Sequence, residues 1–241
     1  MATAKEHYEK HLAQYYSWLF GDFNENVESN RHFFINNKLI PMKSEIAVDL
    51  GAGSGFASIA LAQLGYDVLA IDTCQTLLDE LESHNGSLHI TTIKDDISNF
   101  TAHCPGSVKL CVCLGDTLTH LDSFEYVRKL FADVYHCLET GGKFVLTFRD
   151  LIFELKDSER FIPVKSDSNI IFTCVLEYET QHVRVNDMIY TKDQDMWKLD
   201  VSSYRKLRIP QEWVRKELLG LGFSMDLCEI NKGMITVIAA K

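Results

Sequence analysis

The feature that most constrains this chain is the run Ile46-Ala47-Val48-Asp49-Leu50-Gly51-Ala52-Gly53-Ser54-Gly55, an apolar segment ending in an acid and then glycine at three alternate positions. Glycine at Gly51, Gly53 and Gly55 removes side chains where a strand must turn sharply into a helix, and lets backbone N–H groups approach a ligand. Phe56, Ile59, Ala60 and Leu64 follow at helical spacing, and Gly65 supplies a helix stop. The next apolar run, Tyr66 to Asp72, reads as a buried parallel strand with an acid at its carboxyl end. An acid about 20 positions beyond the first glycine is placed to accept the ribose hydroxyls of a nucleoside.

Glycine spacing separates two cofactor classes that share this layout. A dinucleotide fingerprint, G-x-G-x-x-G, would need its third glycine at Phe56, which disfavours a nicotinamide oxidoreductase. The pattern D-x-G-x-G-x-G from Asp49 to Gly55 instead resembles motif I of the class I S-adenosylmethionine-dependent methyltransferases. The resemblance continues along most of the chain. After a second helix come Leu88 to Ile93 as a third strand, then Asp96 and Ile97, where the family places an acid for the adenine amino group and an apolar cover for the ring. Val108 to Leu114 resembles the fourth strand, and Gly115 to Leu121 the loop where cofactor and acceptor meet. A helix over about Ser123 to Leu138, a stop at Glu139-Thr140-Gly141-Gly142 and a fifth strand, Lys143 to Arg149, follow in family order.

What the resemblance implies is an α/β fold: a Rossmann-like seven-stranded methyltransferase sheet with a helical N-terminal lid and an antiparallel β insertion after the fifth strand. It implies S-adenosyl-L-methionine as cofactor, held by Asp49, Gly51, Ala52, Gly53, Gly55, Asp72, Thr73, Asp96, Ile97 and Leu114. A lid tyrosine, Tyr15 or Tyr16, would border the methyl group.

Composition suits a single enzyme-sized domain spanning 1–241: the chain has 241 residues, 46% of them hydrophobic. No apolar stretch is long enough to span a membrane, and the first residues lack the apolar centre of a signal peptide, so a soluble, cytoplasmic protein is expected. Seven cysteines without paired spacing, two of them at Cys111 and Cys113 on one face of a predicted buried strand, read as reduced core thiols. His7 and His11 lie four apart, but the expected reading is a solvent-facing pair, and no metal is assigned. A formal charge of −10 argues against nucleic acid as a partner, since phosphate contacts need a basic face.

Outside the core, residues from about Thr3 to Leu39 (the lid, 1–40) read as largely helical, with Tyr8, Leu12, Tyr15, Tyr16, Leu19 and Phe20 near one face. Between Asp150 and Pro210 the insertion, 151–210, reads as three or four antiparallel strands, including Ile170–Tyr178, His182–Tyr190 and roughly Met196–Leu207. A helix over about 211–221 and a terminal strand pair then complete the core.

Methyl transfer needs an aligned acceptor and a dry site, and needs a base only if the acceptor carries a proton. His120, after the fourth strand, is the candidate base, its unperturbed pKa being suited to proton removal. Asp116 in the same loop is a candidate to orient an amine or hydroxyl. Arg149, Tyr204 and Arg205 are candidates for acceptor binding, an arginine being able to grip a carboxylate through two hydrogen bonds. Leu114-Gly115-Asp116-Thr117 departs from the proline-rich motif that adenine- and glutamine-directed members carry. The expected acceptor is therefore a small molecule. The alternatives are a protein- or RNA-directed enzyme using the insertion as a docking surface, and a non-catalytic S-adenosylmethionine-binding or dimerising protein; a homodimer is possible, and an insertion that did not cover the acceptor would serve as a dimer interface or scaffold.

Overall fold

The computed structural model describes residues 3–104 and 106–241. The chain enters through a helical path whose winding changes along its length. α1 (Ala4–His7) passes through a π turn (Tyr8–Leu12) and a 3-10 turn (Ala13–Tyr15) into α2 (Tyr16–Phe20). Gly21, at φ 80, breaks the path. Asp22 then caps α3 (Phe23–Asn36) by accepting the Glu25 N–H at 2.9 Å.

The core alternates strand and helix: β1 (Glu45–Leu50), α4 (Phe56–Gln63), β2 (Tyr66–Asp72), α5 (Gln75–Asn85), β3 (Ile90–Lys94), β4 (Val108–Cys113), α6 (Phe124–Cys137) and β5 (Leu138–Arg149). The insertion follows as β6 (Phe161–Ser166), β7 (Ile170–Tyr178), β8 (His182–Asp193) and β9 (Met196–Leu207), after which α7 (Gln211–Leu221), β10 (Ser224–Asn231) and β11 (Met234–Ala240) close the chain. The main sheet runs β3-β2-β1-β4-β5-β11-β10, with only β11 antiparallel to its neighbours. This is the seven-stranded sheet with terminal antiparallel pair expected from the sequence.

Both faces of that sheet are covered, which is why its central strands are continuous apolar runs. Val48 and Leu50 of β1, Cys111 and Cys113 of β4, and Phe144, Leu146 and Phe148 of β5 pack toward α6 and α7. Their alternates Ala47, Leu110, Val112 and Val145 pack toward α3, α4 and α5. One boundary differs from expectation. β5 begins at Leu138, directly after α6, so the Glu139-Thr140-Gly141-Gly142 segment lies within the strand, where Gly141 sits at φ 78 and the β4–β5 register slips.

The insertion forms a separate four-stranded antiparallel meander, β6-β7-β8-β9. Its inner face carries Phe172, Cys174, Leu176, Val183, Val185, Ile189 and Tyr204, all buried. The N-terminal segment packs against this face: Leu12, Tyr8, Tyr15, Tyr16, Trp18 and Leu19 form one apolar cluster with Phe172 and Ile189. Trp18 Nε1 donates to Asp167 at 2.5 Å, and Lys165 Nζ donates to the carbonyl of Trp18 at 2.5 Å. The expected lid and the expected insertion therefore build one cap. Among the described residues no helix is long and apolar enough to cross a membrane.

Two turns hold glycine at positive φ in opposite surroundings, the β1–α4 turn at Gly55 and the β10–β11 turn at Gly233. Gly55 lies at φ 90, and a Cβ there would stand 2.2 Å from Leu81 Cδ1 in the sealed core. Gly55→Ala should lower unfolding free energy by about 2–4 kcal/mol, combining backbone strain and overpacking. Gly233→Ala, at φ 77 in open space, should lose only a backbone term of about 1–2 kcal/mol. Urea titrations giving equal losses would remove the packing account.

Asp49, 2% exposed, accepts from Ser58 Oγ at 2.7 Å. Burial pushes its carboxyl up to about 7 from an ordinary 3.8, with the nearby Asp72 carboxylate adding to the effect against the Ser58 bond. The folded state thus holds a proton that the unfolded chain has lost. Stability is fully present below the ordinary carboxylate range and falls as pH rises through about 7, by at most about 1.4 kcal/mol per pH unit. Asp49→Asn should flatten this dependence between roughly pH 5 and 7, as measured by urea midpoints; parallel curves for the two proteins would contradict it.

Candidate active site

The carboxyl ends of β1, β2 and β4 face the N-terminal segment across a cavity of about 430 Å³. Its position follows from topology: β1 and β4 are adjacent but lead to helices on opposite faces, which opens a crevice at the strand ends.

Gly51, Gly53, Asp72, Thr73, Asp96, Ile97, Tyr16 and His120, all candidates from the sequence, line the cavity together. The glycines act differently from expectation. Gly51 N–H and Ala52 N–H both donate to the Ile71 carbonyl, at 2.8 and 3.0 Å, and Gly55 N–H donates to the Ala52 carbonyl at 2.9 Å. Their value is steric: a Cβ at Gly51 would meet the Thr117 side chain at 2.4 Å, and Gly53, at φ 54, faces the Tyr16 hydroxyl at 3.4 Å from the Cβ position. Ala52, Gly55 and Asp49 lie beneath the cavity wall. Leu114 is likewise behind it, its carbonyl accepting from Thr117 Oγ1 at 3.1 Å.

Asp72 is braced by two backbone donors, Gly53 N–H on Oδ2 and Cys74 N–H on Oδ1, each at 2.8 Å. Burial raises its pKa against these bonds. Asp96 Oδ1 accepts from Ser98 N–H at 2.8 Å, capping the short turn that holds Ile97. Its neighbour Asp95 is occupied elsewhere, bonded to His103 at 2.7 Å and Asn99 at 3.0 Å. Two carboxylates at the ends of β2 and β3 thus flank an apolar wall of Leu77 and Ile97, a combination suited to the hydroxyls, amino group and flat ring of a nucleoside. Of the two tyrosine candidates, Tyr16 reaches the cavity and Tyr15 packs in the cap.

At the other end stands His120, on the turn Thr117–His120, half-buried, with both ring nitrogens enclosed and lacking a partner in the protein. Tyr8 meets it edge-on at 5.6 Å, and Tyr204 lies 5.6 Å behind. The expectation of a near-neutral base is corrected. Burial and then the Lys206 ammonium push the His120 pKa down to about 3, so the ring is neutral, with one nitrogen to donate and one to accept.

Asp116 does not line the cavity. Its Oδ2 lies 2.7 Å from Lys206 Nζ and 3.3 Å from Arg149 Nε, and Oδ1 accepts the Arg149 N–H at 3.0 Å. Burial opposes its ionisation, but these cations outweigh it and hold the carboxyl well below the usual range. Arg149 is 61% exposed and committed to this pair. Arg205 is the clearest departure. Strand alternation turns it to the outer face of β9, where it pairs with Glu179 at 2.9 Å, while Ser202, Tyr204 and Lys206 face inward. Tyr204 stands behind His120 and takes no part in the cavity wall.

Sequence reasoning missed Tyr8, Thr117 and Tyr126 in the wall and the buried trio His7, Asp187 and Ser202 behind it. His7, expected at the surface, is 0% exposed. Period-two alternation along β9 was the available signal for the inward set, and it would have chosen Lys206 over Arg205. No cluster of His, Cys, Asp or Glu among the described residues has metal-binding geometry.

Residues 47–142 match the methyltransferase domain family. A glycine/sarcosine N-methyltransferase of Aphanothece halophytica is 27% identical over 209 residues, covering 84% of this chain and 74% of that protein. One of Parasynechococcus marenigrum is 28% identical over 131 residues, but the match spans only 54% of this chain and 46% of the relative. In overall fold the chain is similar to the CcbJ methyltransferase of Streptomyces caelestis, with TM-score 0.80 at 13% identity over 97% of both chains. A methyltransferase of Clostridium acetobutylicum gives TM-score 0.74 at 17% identity over 97% and 98%. Sheet order, glycine turn, paired carboxylates and these likenesses agree: residues 47–142 match a methyltransferase domain, and over its length the chain has the fold of S-adenosylmethionine-dependent methyltransferases.

Proposed function

We propose that the chain transfers a methyl group to the nitrogen of a small amine. The observation that carries this reading is the unpartnered imidazole of His120 in the cavity wall beside Tyr8, with the half-buried Lys206–Asp116 pair nearby and a pKa pushed well below neutrality. A nitrogen of this ring accepts the N–H of an uncharged amine and so aims the amine lone pair; burial that keeps His120 neutral also disfavours a protonated acceptor. The first-named relative acts on glycine and sarcosine, which are small amines. Seven free cysteines support a reducing compartment, the cytoplasm, and the acidic balance supports a free metabolite over nucleic acid.

In this reading Asp72 receives the ribose hydroxyls, Asp96 the adenine amino group, and Ile97 covers the ring. Tyr16, whose hydroxyl burial and the Asp72 carboxylate keep protonated, closes the cavity above Gly53. Bound S-adenosylmethionine supplies an electrophilic methyl carbon on a sulfonium. Transfer of that methyl to the amine lone pair would leave S-adenosylhomocysteine and a substituted ammonium, whose proton would pass to solvent on release. Tyr8, Tyr16 and the cap exclude water meanwhile.

Asp72→Ala should weaken S-adenosylhomocysteine binding by about 1–3 kcal/mol; calorimetry showing wild-type affinity in a folded variant would remove Asp72 from the site. For the acceptor, labelled S-adenosylmethionine should be incubated with glycine, sarcosine and other small amines beside glycolate and alcohols of equal size. Label is expected on nitrogen, with His120→Phe lowering turnover by about 10²-fold. Label on oxygen, on added protein or on RNA would defeat the proposal.

A further inference from the structure

The N-terminal segment that walls the cavity is fastened, on its far side, to the inner face of β8 and β9, and His7 is the fastening point. Its Nδ1 hydrogen-bonds Ser202 Oγ at 2.8 Å, and its Nε2 lies 3.0 Å from Asp187 Oδ2, a close polar contact without hydrogen-bond alignment. The ring stacks on Tyr204 at 4.1 Å between centroids and meets Tyr8 edge-on at 5.8 Å. Asp187 and Ser202 are direct partners across the β8–β9 ladder, and both are buried. They place a carboxylate and a hydroxyl side by side on a sheet face that carries Val183, Val185, Ile189 and Tyr204, with Lys206 toward its end. Without the imidazole these polar groups would be stranded in an apolar interior. One helical turn on, His11 Nδ1 lies 2.8 Å from Asp200 Oδ2, repeating the pairing at the rim.

His7, Asp187 and Ser202 do not line the cavity, so none of them reaches a ligand there. What His7 touches is the acceptor end: Tyr8 and Tyr204, each 5.6 Å from the His120 ring. A residue placed one layer behind a chamber, sealed on the sheet by a carboxylate and a hydroxyl, sets the position of what stands in front of it. We propose that His7 is a positioning residue: seating its imidazole between Asp187 and Ser202 closes the N-terminal segment over the cavity and holds Tyr8 and Tyr204 around His120. The inference rests on reading the cavity as the methyl-transfer site.

The test uses the full chain with S-adenosylhomocysteine added, and compares His7→Leu, Asp187→Leu, the double variant and His7→Gln. Two readouts need no acceptor, so their outcome is separate from that of the amine panel: amide exchange over residues 4–12, and modification of His120 by diethyl pyrocarbonate located by peptide mass. Exchange and His120 modification should each accelerate at least tenfold in His7→Leu. The double variant should be less affected than the sum of the singles, because it leaves no stranded carboxylate, and His7→Gln, which keeps a polar amide beside Ser202 and Asp187, should recover most of the protection. Unchanged rates, additive effects, or acceleration at residues 4–12 with His120 still protected would overturn the proposal. Slow exchange in β1 and β4 reports that the core is folded; if His7→Leu loses it, Ser202→Ala is judged by the same two rates.

Discussion

One hydrogen bond joins the two halves of the cavity floor proposed to hold the cofactor: the Gly53 amide donates to Asp72 Oδ2 at 2.8 Å. It ties the turn after β1 to the end of β2, and it forms only because Gly51, Gly53 and Gly55 all occupy φ values that side chains resist. With Gly51 and Ala52 sharing the Ile71 carbonyl, the turn is held against β2 at three points. Thr117 can then pack onto Gly51 and Leu81 under Gly55, which brings the loop after β4 and the helix after β2 to the same crevice. The glycines serve close packing as much as ligand approach.

Above that crevice the cap is a composite. The N-terminal segment contributes tyrosines to the cavity, while its other face is apolar and packs on Phe172 and Ile189 of the insertion. The insertion has a small apolar cluster of its own around Leu176, Val183 and Val185, and the N-terminal segment buries its apolar face beside it on Phe172 and Ile189. Lys206 links this cap to the methyltransferase sheet through Asp116, which is joined in turn to Arg149 at the end of β5. The ion pairs are buried on one side, so their geometry matters more than their charge count.

That network also sets the chemistry of the chamber. Lys206 sits close enough to His120 to disfavour a second cation there, and burial acts in the same direction. A neutral imidazole orients a hydrogen-bonded acceptor, whereas a histidine at its ordinary pKa would exchange protons with it near neutrality. The two cations that might have held an acceptor carboxylate, Arg149 and Arg205, are each committed to a protein carboxylate instead.

Much of this was legible in the residues. The turn from Asp49 to Gly55, the strand-end Asp72, Asp96 ahead of Ile97, the helical start and the β insertion are local patterns, because backbone sterics and hydrophobic periodicity act over a few residues. The sequence also placed His120 at the cavity, since it lies a fixed short distance beyond the end of β4. What only the tertiary structure decided was which polar groups meet across long separations: His7 with Asp187 and Ser202, and Asp116 with Lys206. Those meetings buried His7, while strand alternation turned Arg205 outward and burial, with Lys206 beside it, pushed the His120 pKa down. Burial and charge pairing depend on what packs above a residue, and chain-local pattern carries no record of that neighbour.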